Sequence, residues 1–84
     1  MLHYLFQCRS LTYAQRTAAA LERVGITSYL LRTPKRIAGE GCSYCVKISA
    51  RNASNALSVL RQIGLAPIRI FKSDGSGRYQ EVTL

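Results

Sequence analysis

Acidic side chains are scarce in this sequence, which holds four of them among 84 residues. They are Glu22, Glu40, Asp74 and Glu81. The single histidine, His3, stands at the opposite end of a predicted strand from Cys8, and no Ser-His-Asp or Cys-His arrangement is present. Because acid–base and nucleophilic catalysis both need such groups close together, the sequence argues against a classical enzyme.

Long apolar runs are missing as well. No stretch approaches the roughly 20 residues that a helix needs to cross a bilayer. The opening segment, residues 1–6, has no basic leader and is too short for the apolar core of a signal peptide. We therefore expect a cytoplasmic protein that does not associate with membranes.

Cysteine is present, but its number and spacing exclude the usual structural uses. The chain has three cysteines, Cys8, Cys42 and Cys45. An odd number without an export signal argues against a disulfide framework. A closed zinc site needs four Cys or His ligands, and His3 as the fourth matches no recognised spacing. The glycines form no phosphate-cradling loop, so we expect neither a metal nor a cofactor.

Basic side chains are abundant, since twelve Lys and Arg residues give a formal net charge of +8. Such a charge attracts anions at long range, including nucleic acid and acidic proteins. The cations are scattered, with Lys35-Arg36 the only adjacent pair, which is typical of a solvated basic surface. Nucleic acid is therefore one candidate partner among several.

Hydrophobic patterns predict one small domain, residues 1–84, of alternating strands and helices. Apolar residues recur at three- and four-residue spacing in two helical segments, and short runs rich in β-formers separate them. The predicted elements are a strand over 2–8, a helix over 12–24, a strand over 26–32, a loop over 35–41, a strand over 43–49, a helix from 52 or 54 to 63, a strand over 67–72, and a short strand or a loose tail over 78–84.

The chain also repeats itself weakly. Residues 20–26 are echoed by residues 59–65, and each copy contains a helix end, a glycine stop and the entry to a strand. Ser10 or Thr12 is expected to cap the first helix. Two such halves give the order β-α-β-β-α-β, which predicts an α+β, ferredoxin-like fold with two helices on one face of a four-stranded antiparallel sheet, followed by either a short added strand or a loose tail.

This topology predicts where the thiols meet. The first and third strands are central neighbours and run antiparallel, so the end of one lies beside the start of the other. Cys42, at the joint between loop and strand, is the candidate reactive thiol. The supporting residues expected at the same end of the sheet are Cys8, Arg9, Ser10, Lys35 and Arg36. Positive charge and helix-end amides favour a thiolate over a thiol, so we expect Cys42 to be ionised there.

Cys42 and Cys45 form a C-x-x-C pair that opens a strand rather than a helix. Three extended residues span about 10 Å, whereas a disulfide needs Cα atoms within about 6.8 Å. The two cysteines can therefore pair only if Cys42 and Ser43 belong to a turn. If Cys45 lies fully in the strand, Cys42 acts alone or with Cys8.

Four short segments share a pattern with one known family. They are Tyr4-Leu5-Phe6 with Arg9-Ser10, residues 19–26, Thr33-Pro34-Lys35, and Cys42 followed by Val46-Lys47-Ile48. Over residues 4–71 the chain resembles the selenium/sulfur carrier-like small domains of bacteria. Cys42 matches the family cysteine, and Cys45 falls where some members carry a second one. Ser43 departs from the family glycine, and the tail after Ser73 lies outside the pattern.

The resemblance implies a carrier of reduced sulfur or selenium, held on Cys42 as a persulfide or selenosulfide. A donor protein would load Cys42, and an acceptor protein would take the cargo. A neighbouring thiol, such as that of Cys45, could release the cargo by forming a disulfide. The residues thus predict a carrier or a binding protein rather than a turnover catalyst.

Two other functions compete with this one. A ferredoxin-like sheet with a positive charge fits a nucleic-acid-binding module whose open face carries His3, Lys47, Arg69 and Phe71. The aromatic platform expected on the third strand is missing, however, and Tyr44 is predicted to pack in the core. The third hypothesis is a regulatory or assembly domain that pairs edge to edge as a homodimer and needs no chemistry at its cysteines.

Overall fold

The computed structural model describes residues 2–38 and 43–84. Strands and helices alternate along this part of the chain. The elements are β1 (His3–Cys8), α1 (Leu11–Arg23), β2 (Ser28–Arg32), α2 (Lys35–Ala38), β3 (Tyr44–Ser49), a 3₁₀ turn (Ala50–Asn52), α3 (Ala53–Gln62), β4 (Arg69–Ser73) and β5 (Tyr79–Val82).

The strands form one antiparallel sheet in the order β2-β3-β1-β4-β5. Strand β1 pairs with β3 on one side and with β4 on the other. This confirms the α+β class and the central pairing of the first and third predicted strands. The predicted four-stranded sheet is wrong in its count. Because Tyr79 pairs with Ser73, the segment after the last turn is a fifth strand and not a loose tail.

A short helix, α2, occupies the start of the predicted loop over 35–41. The amide of Ile37 donates to the carbonyl of Pro34 at 3.0 Å, so the turn begins at the proline. Proline suits the start of a helix because its φ angle is already helical and its missing N–H would be unpaired there. A four-residue helix is too short to show a periodic pattern, which is why the sequence predicted a loop. Residues 39–41 of that loop lie outside the described chain.

Helix α1 has a polar start and an apolar inner face. The hydroxyl of Ser10 accepts a hydrogen bond from the Tyr13 amide at 3.3 Å, which confirms Ser10 as the N-cap. This bond pairs one of the first-turn amides that a helix leaves without a partner. The buried residues of the helix are Ala14, Thr17, Ala20 and Leu21.

The repeated sequence segments fold into the same structure twice. Gly25 and Gly64 follow the two long helices with φ angles of +78° and +77°. After the first, the Ile26 amide donates to the Leu21 carbonyl at 2.9 Å. After the second, the Leu65 amide donates to the Leu60 carbonyl at 2.8 Å. Both ends are Schellman motifs, which need a left-handed residue after the helix, and glycine takes that conformation without strain.

The sheet separates two apolar clusters. One face packs against α1 and α3, and its largest strand residues are Phe6, Val46 and Ile48, each at most 1% exposed. The other face has a smaller cluster of Leu5, Cys45 and Phe71, against which Leu31, Ile37 and Tyr79 pack. The period of two along β1 and β3 sends neighbouring side chains to opposite faces, as the pattern of β3 predicted.

Candidate functional site

Cys42, the predicted reactive thiol, lies outside the described residues. Its chain neighbour Ser43 is described, and the Ser43 carbonyl accepts a hydrogen bond from the Thr33 amide at 2.9 Å. This bond extends the ladder between β2 and β3 by one residue beyond the pair Arg32↔Tyr44. Since adjacent Cα atoms are about 3.8 Å apart, the candidate site is the end of the sheet where Ser43 lies.

A buried glutamine holds Ser43 against the central strand. The Gln7 Nε2 donates to the Ser43 Oγ at 3.0 Å, and the Gln7 side chain is 4% exposed. Its Oε1 has no hydrogen-bond partner in the described part of the chain. Because a buried amide oxygen without a partner costs free energy, an unpaired Oε1 beside Ser43 is suited to accept a donor there.

Cys45 is the second residue of β3 and is 0% exposed. Its Sγ lies 3.0 Å from the Oγ1 of Thr33, which is itself 4% exposed. Burial raises the pKa of the Cys45 thiol above the ordinary value of 9.0, while the Thr33 bond opposes the rise and nearby Cys8 adds to it. The neutral thiol is therefore the stable form of this side chain, since burial in an apolar cluster disfavours the thiolate.

Cys8 is equally enclosed, at the end of β1. Its side chain is 4% exposed, and its Sγ lies 3.6 Å from the Phe6 carbonyl oxygen and 3.9 Å from the Thr17 Oγ1. Burial raises the pKa of this thiol above 9.0, and the bond to Thr17 opposes the rise. Both described cysteines are free thiols with the electrostatics of core residues.

The structure brings Cys8 and Cys45 to the same end of the sheet but not to the same face. In the register of β1 and β3, Gln7 lies opposite Cys45 and Cys8 lies opposite Tyr44. Cross-strand partners share a face and successive residues alternate, so Cys8 points toward the helices and Cys45 points away from them. Because Cys45 lies fully in the strand, the sequence argument leaves Cys42 to act alone or with Cys8.

Arg9 and Ser10 follow Cys8 directly at this end of the sheet. The Arg9 guanidinium lies over the Tyr13 ring, with its Cζ 4.9 Å from the ring centroid. Ser10 is extended, with φ −158° and ψ 167°, and caps α1. The first turn of α1 therefore begins here, and its amide ends carry partial positive charge.

Lys35 and Arg36 are the first two residues of α2, and the undescribed residues 39–42 separate this helix from Ser43 in the sequence. The Arg36 Nη1 donates to the carbonyl of Gly77 at 2.7 Å, which ties α2 to the turn between β4 and β5. This bond joins residues 41 positions apart. Of the cations predicted for the site, Arg36 therefore already donates a hydrogen bond to the backbone of the turn between β4 and β5.

Sequence reasoning missed the polar groups that buttress the site. Gln7 and Thr33 are buried and bond to the two residues that flank Tyr44, which are Ser43 and Cys45. A signal was available for Gln7, because it is a single polar residue in an otherwise apolar strand centre. Assigning it a partner required the strand register, which the sequence pattern does not contain.

The residues predicted for a nucleic-acid interface can now be placed on the open face of the sheet. The register places His3, Lys47, Arg69 and Phe71 on the face away from the long helices. Phe71 is 5% exposed, so its ring is not available for stacking on a base. Tyr44 packs against the helix-side core, as predicted. Single-stranded RNA is bound through exposed stacked aromatics, and these positions do not supply them.

Neither a metal cluster nor a membrane span is found in the described ranges. Over 2–38 and 43–84, no three His, Cys, Asp or Glu side chains gather in a way that could hold a metal ion. Within the same residues, every helix is too short or too polar to cross a bilayer.

These features define a small basic α+β protein whose two described thiols are buried and whose remaining cysteine directly precedes Ser43 in the sequence. A family model described as "Putative Se/S carrier protein-like" matches residues 3–72. The match covers most of the chain, and the protein belongs to this family. Searches of curated proteins and of solved structures find no match.

Proposed function

We propose that this protein carries reduced sulfur or selenium on the thiolate of Cys42. The observation that carries the proposal is the burial of the other two thiols, since Cys8 and Cys45 are at most 4% exposed and have raised pKa values. A cargo-carrying thiol must be ionised and reachable by a partner protein. Family membership supports the class of cargo.

Loading and unloading follow ordinary thiol exchange. The Cys42 thiolate attacks the outer sulfur of a donor persulfide, a new S–S bond forms on Cys42, and the donor leaves as a thiolate. The acceptor's nucleophile then attacks the outer sulfur, and Cys42 leaves as a thiolate. No external oxidant or reductant is needed, because the outer sulfur keeps its oxidation state and only changes its carrier. Selenium would follow the same route as a selenosulfide.

The scaffold proposed for this chemistry is a ferredoxin-like core. It consists of β1 to β4 with α1 and α3, and β5 is an addition at the edge. The order β2-β3-β1-β4 and the packing of both long helices on one face support this assignment. We further propose that residues 1–84 form one domain, that it works in the cytoplasm, and that its partners are a donor protein and an acceptor protein.

The surroundings proposed for Cys42 are cationic and hydrogen-bonding. Arg9 and Lys35 would favour the thiolate by charge, and the α1 N-terminus at Ser10 would do so by its dipole. The Arg36 guanidinium, in contrast, is held by Gly77 in the turn that follows Ser73, the partner of His3. Gln7 anchors Ser43, the residue next to Cys42. A resolving role for Cys45 stays a prediction, and it would require Cys45 to leave its place in the apolar cluster.

The test is mass spectrometry of the whole protein and its peptides after incubation with glutathione persulfide, or with selenite and excess glutathione, which reduces the selenite to glutathione selenopersulfide. We expect one added sulfur or selenium atom on the peptide that contains Cys42. Cys42→Ser should abolish the gain, and Cys45→Ala, the matched control, should keep it. A gain located on Cys8 or Cys45, or retained in Cys42→Ser, would contradict the proposal.

A further inference from the structure

The edge strand β2 presents a surface that the proposed chemistry does not use. In the described chain, β2 pairs with β3 on one side, and no strand pairs with its other side. Tyr29 and Leu30 are 61% and 41% exposed, one on each face of this edge. An uncovered edge with apolar side chains is a template for another extended chain.

The phase of the ladder shows which backbone groups point outward. The Thr33 amide donates to the Ser43 carbonyl, so these two residues form a hydrogen-bonded pair. Hydrogen-bonded and non-bonded pairs alternate in an antiparallel ladder. Leu31 therefore bonds to β3, while the N–H and C=O groups of Leu30 and Arg32 point away from the sheet. A strand added at this edge would bond to those groups.

The charged side chains beside β2 indicate which kind of strand would bind to this edge. On the open face, the Lys47 Nζ lies 5.6 Å from the centroid of the Tyr29 ring. On the helix face, the Arg32 Cζ lies 5.9 Å from the centroid of the Tyr44 ring. Each side of the edge thus carries a cation beside an aromatic ring, and a chain with acidic side chains complements both.

A second copy of this protein is a poor occupant of the same edge. Each copy carries a net charge of +8, and antiparallel pairing of two β2 strands would bring their cations together. The opposite edge of the sheet, β5, includes the exposed acid Glu81 and lacks this complementarity. The two edges are therefore not equivalent for an acidic partner.

We propose that the outer edge of β2 binds an acidic extended segment of a partner protein by strand addition. The segment bonds to the backbone of Leu30 and Arg32 and places its acidic side chains near Lys47 and Arg32. The C-terminal end of β2 leads to Thr33, which pairs with Ser43 beside the candidate site. A docked partner would therefore reach the end of the sheet where the cargo is proposed to be held.

The experiment uses a short synthetic peptide of the repeat Glu-Glu-Val-Val, which places Glu on both faces of an added strand, and a matched peptide with Lys in place of Glu. Binding to the full chain is measured by fluorescence anisotropy, and the amides that respond are located by two-dimensional NMR. We expect the acidic peptide to protect the Leu30 and Arg32 amides from solvent exchange, and the basic peptide to leave them unchanged. Added salt should weaken the binding.

Two substitutions of Leu30 distinguish the contribution of its backbone N–H to binding from that of its side chain. Leu30→Pro removes an outward N–H without removing a bond to β3, and proline is tolerated on strand edges in that orientation. It should raise the dissociation constant of the acidic peptide about fivefold, which is the effect of losing one hydrogen bond. Leu30→Ala keeps the amide and should retain most of the binding. Arg32→Glu should lower the affinity for the acidic peptide and raise the affinity for the basic peptide.

Several outcomes would overturn the inference. They are no binding, equal binding of both peptides, full binding by a folded Leu30→Pro variant, or protected amides on β5 instead of β2. If the protein alone dimerises with Leu30 and Arg32 protected, the occupant is a second copy. If a single-stranded oligonucleotide protects the same amides in preference, the surface binds nucleic acid. Sulfur loading of Cys42 from glutathione persulfide needs no partner, so its failure is distinguishable from failure of this inference.

Discussion

The Oγ1 of Thr33 lies 3.0 Å from the Sγ of Cys45, and both side chains are buried. This contact joins the residue that follows β2 to the second residue of β3. It pairs a hydroxyl and a thiol that would otherwise be enclosed without partners. Arg32 and Tyr44 are cross-strand partners, Thr33 follows Arg32, and Cys45 follows Tyr44. The contact therefore supports the strand ends that lead to Cys42.

We expect Thr33→Val to destabilise the fold by about 1 kcal/mol, because it removes the hydroxyl that bonds to Cys45 while keeping the volume. Chemical denaturation measures the change. The same substitution in a Cys45→Ala background is the matched control, and it should cost less because the hydroxyl has no thiol partner to lose there. Equal stability of the valine variant and the native protein would show that the contact contributes nothing.

Alkaline pH should destabilise the protein through its buried thiols. Burial raises the pKa of both Cys8 and Cys45 in the folded state above the ordinary 9.0. Above pH 9 the unfolded chain loses these protons first, so the stability present below that pH is lost as pH rises toward the folded-state pKa values. The free energy of unfolding, measured between neutral pH and about pH 10.5, should fall.

The thiol part of this fall is isolated by substitution. In a Cys8→Ala, Cys45→Ala double variant the decline above pH 9 should be shallower, because both thiols whose pKa is raised by burial are then absent. An identical slope in both proteins would assign the alkaline loss to other groups.

Alkylation should distinguish the cysteines by burial. In native protein carrying Cys42→Ser, iodoacetamide should label Cys8 and Cys45 slowly, at a rate set by opening of the structure, because neither thiol is exposed. In urea both should react at once. Native protein with Cys42 intact should show one additional fast site. Fast labelling of Cys45 in the folded serine variant would mean that its cluster opens readily.

Alanine at either helix-ending glycine should cost about 1–2 kcal/mol, because a left-handed φ strains a residue with a Cβ. Apart from the glycine, its chain neighbours and the backbone of its own helix, no atom of the described residues lies within 4 Å of the Cβ that alanine would add at Gly25 or Gly64, so the cost is conformational rather than steric crowding. Asparagine, which tolerates this conformation, is the control and should cost less. Thermal unfolding of Gly25→Ala and Gly64→Ala measures both effects, which should be similar because the two motifs are alike. A neutral result at one site only would contradict the equivalence.

Local patterns predicted the parts of this fold that obey a period. The alternation Tyr44, Val46, Ile48 gave the correct inner face of β3, because a strand sends every second side chain to the same side. The two glycine stops were recognised for an equally local reason, since left-handed geometry nearly requires glycine. Strand ends were less accurate, and β2 begins at Ser28 where the prediction began it two residues earlier.

Long-range pairings were beyond local patterns. The bond from Arg36 to Gly77 spans 41 positions, and the contact of Gln7 with Ser43 spans 36. The Gln7 contact depends on the register of β1 and β3, and the Arg36 bond depends on how α2 lies against the turn between β4 and β5. Cys8 and Cys45 illustrate the same limit, because the topology placed them at one end of the sheet while the register decided that they face opposite sides.

That placement has a chemical consequence. With the sheet standing between them, Cys8 and Cys45 cannot cross-link to each other while the protein stays folded. An oxidant in solution would meet a molecule whose two buried sulfurs are kept apart by the backbone of the sheet. The two buried thiols would therefore stay reduced as long as the sheet stays intact, and irreversible oxidation of them would require the fold to open first.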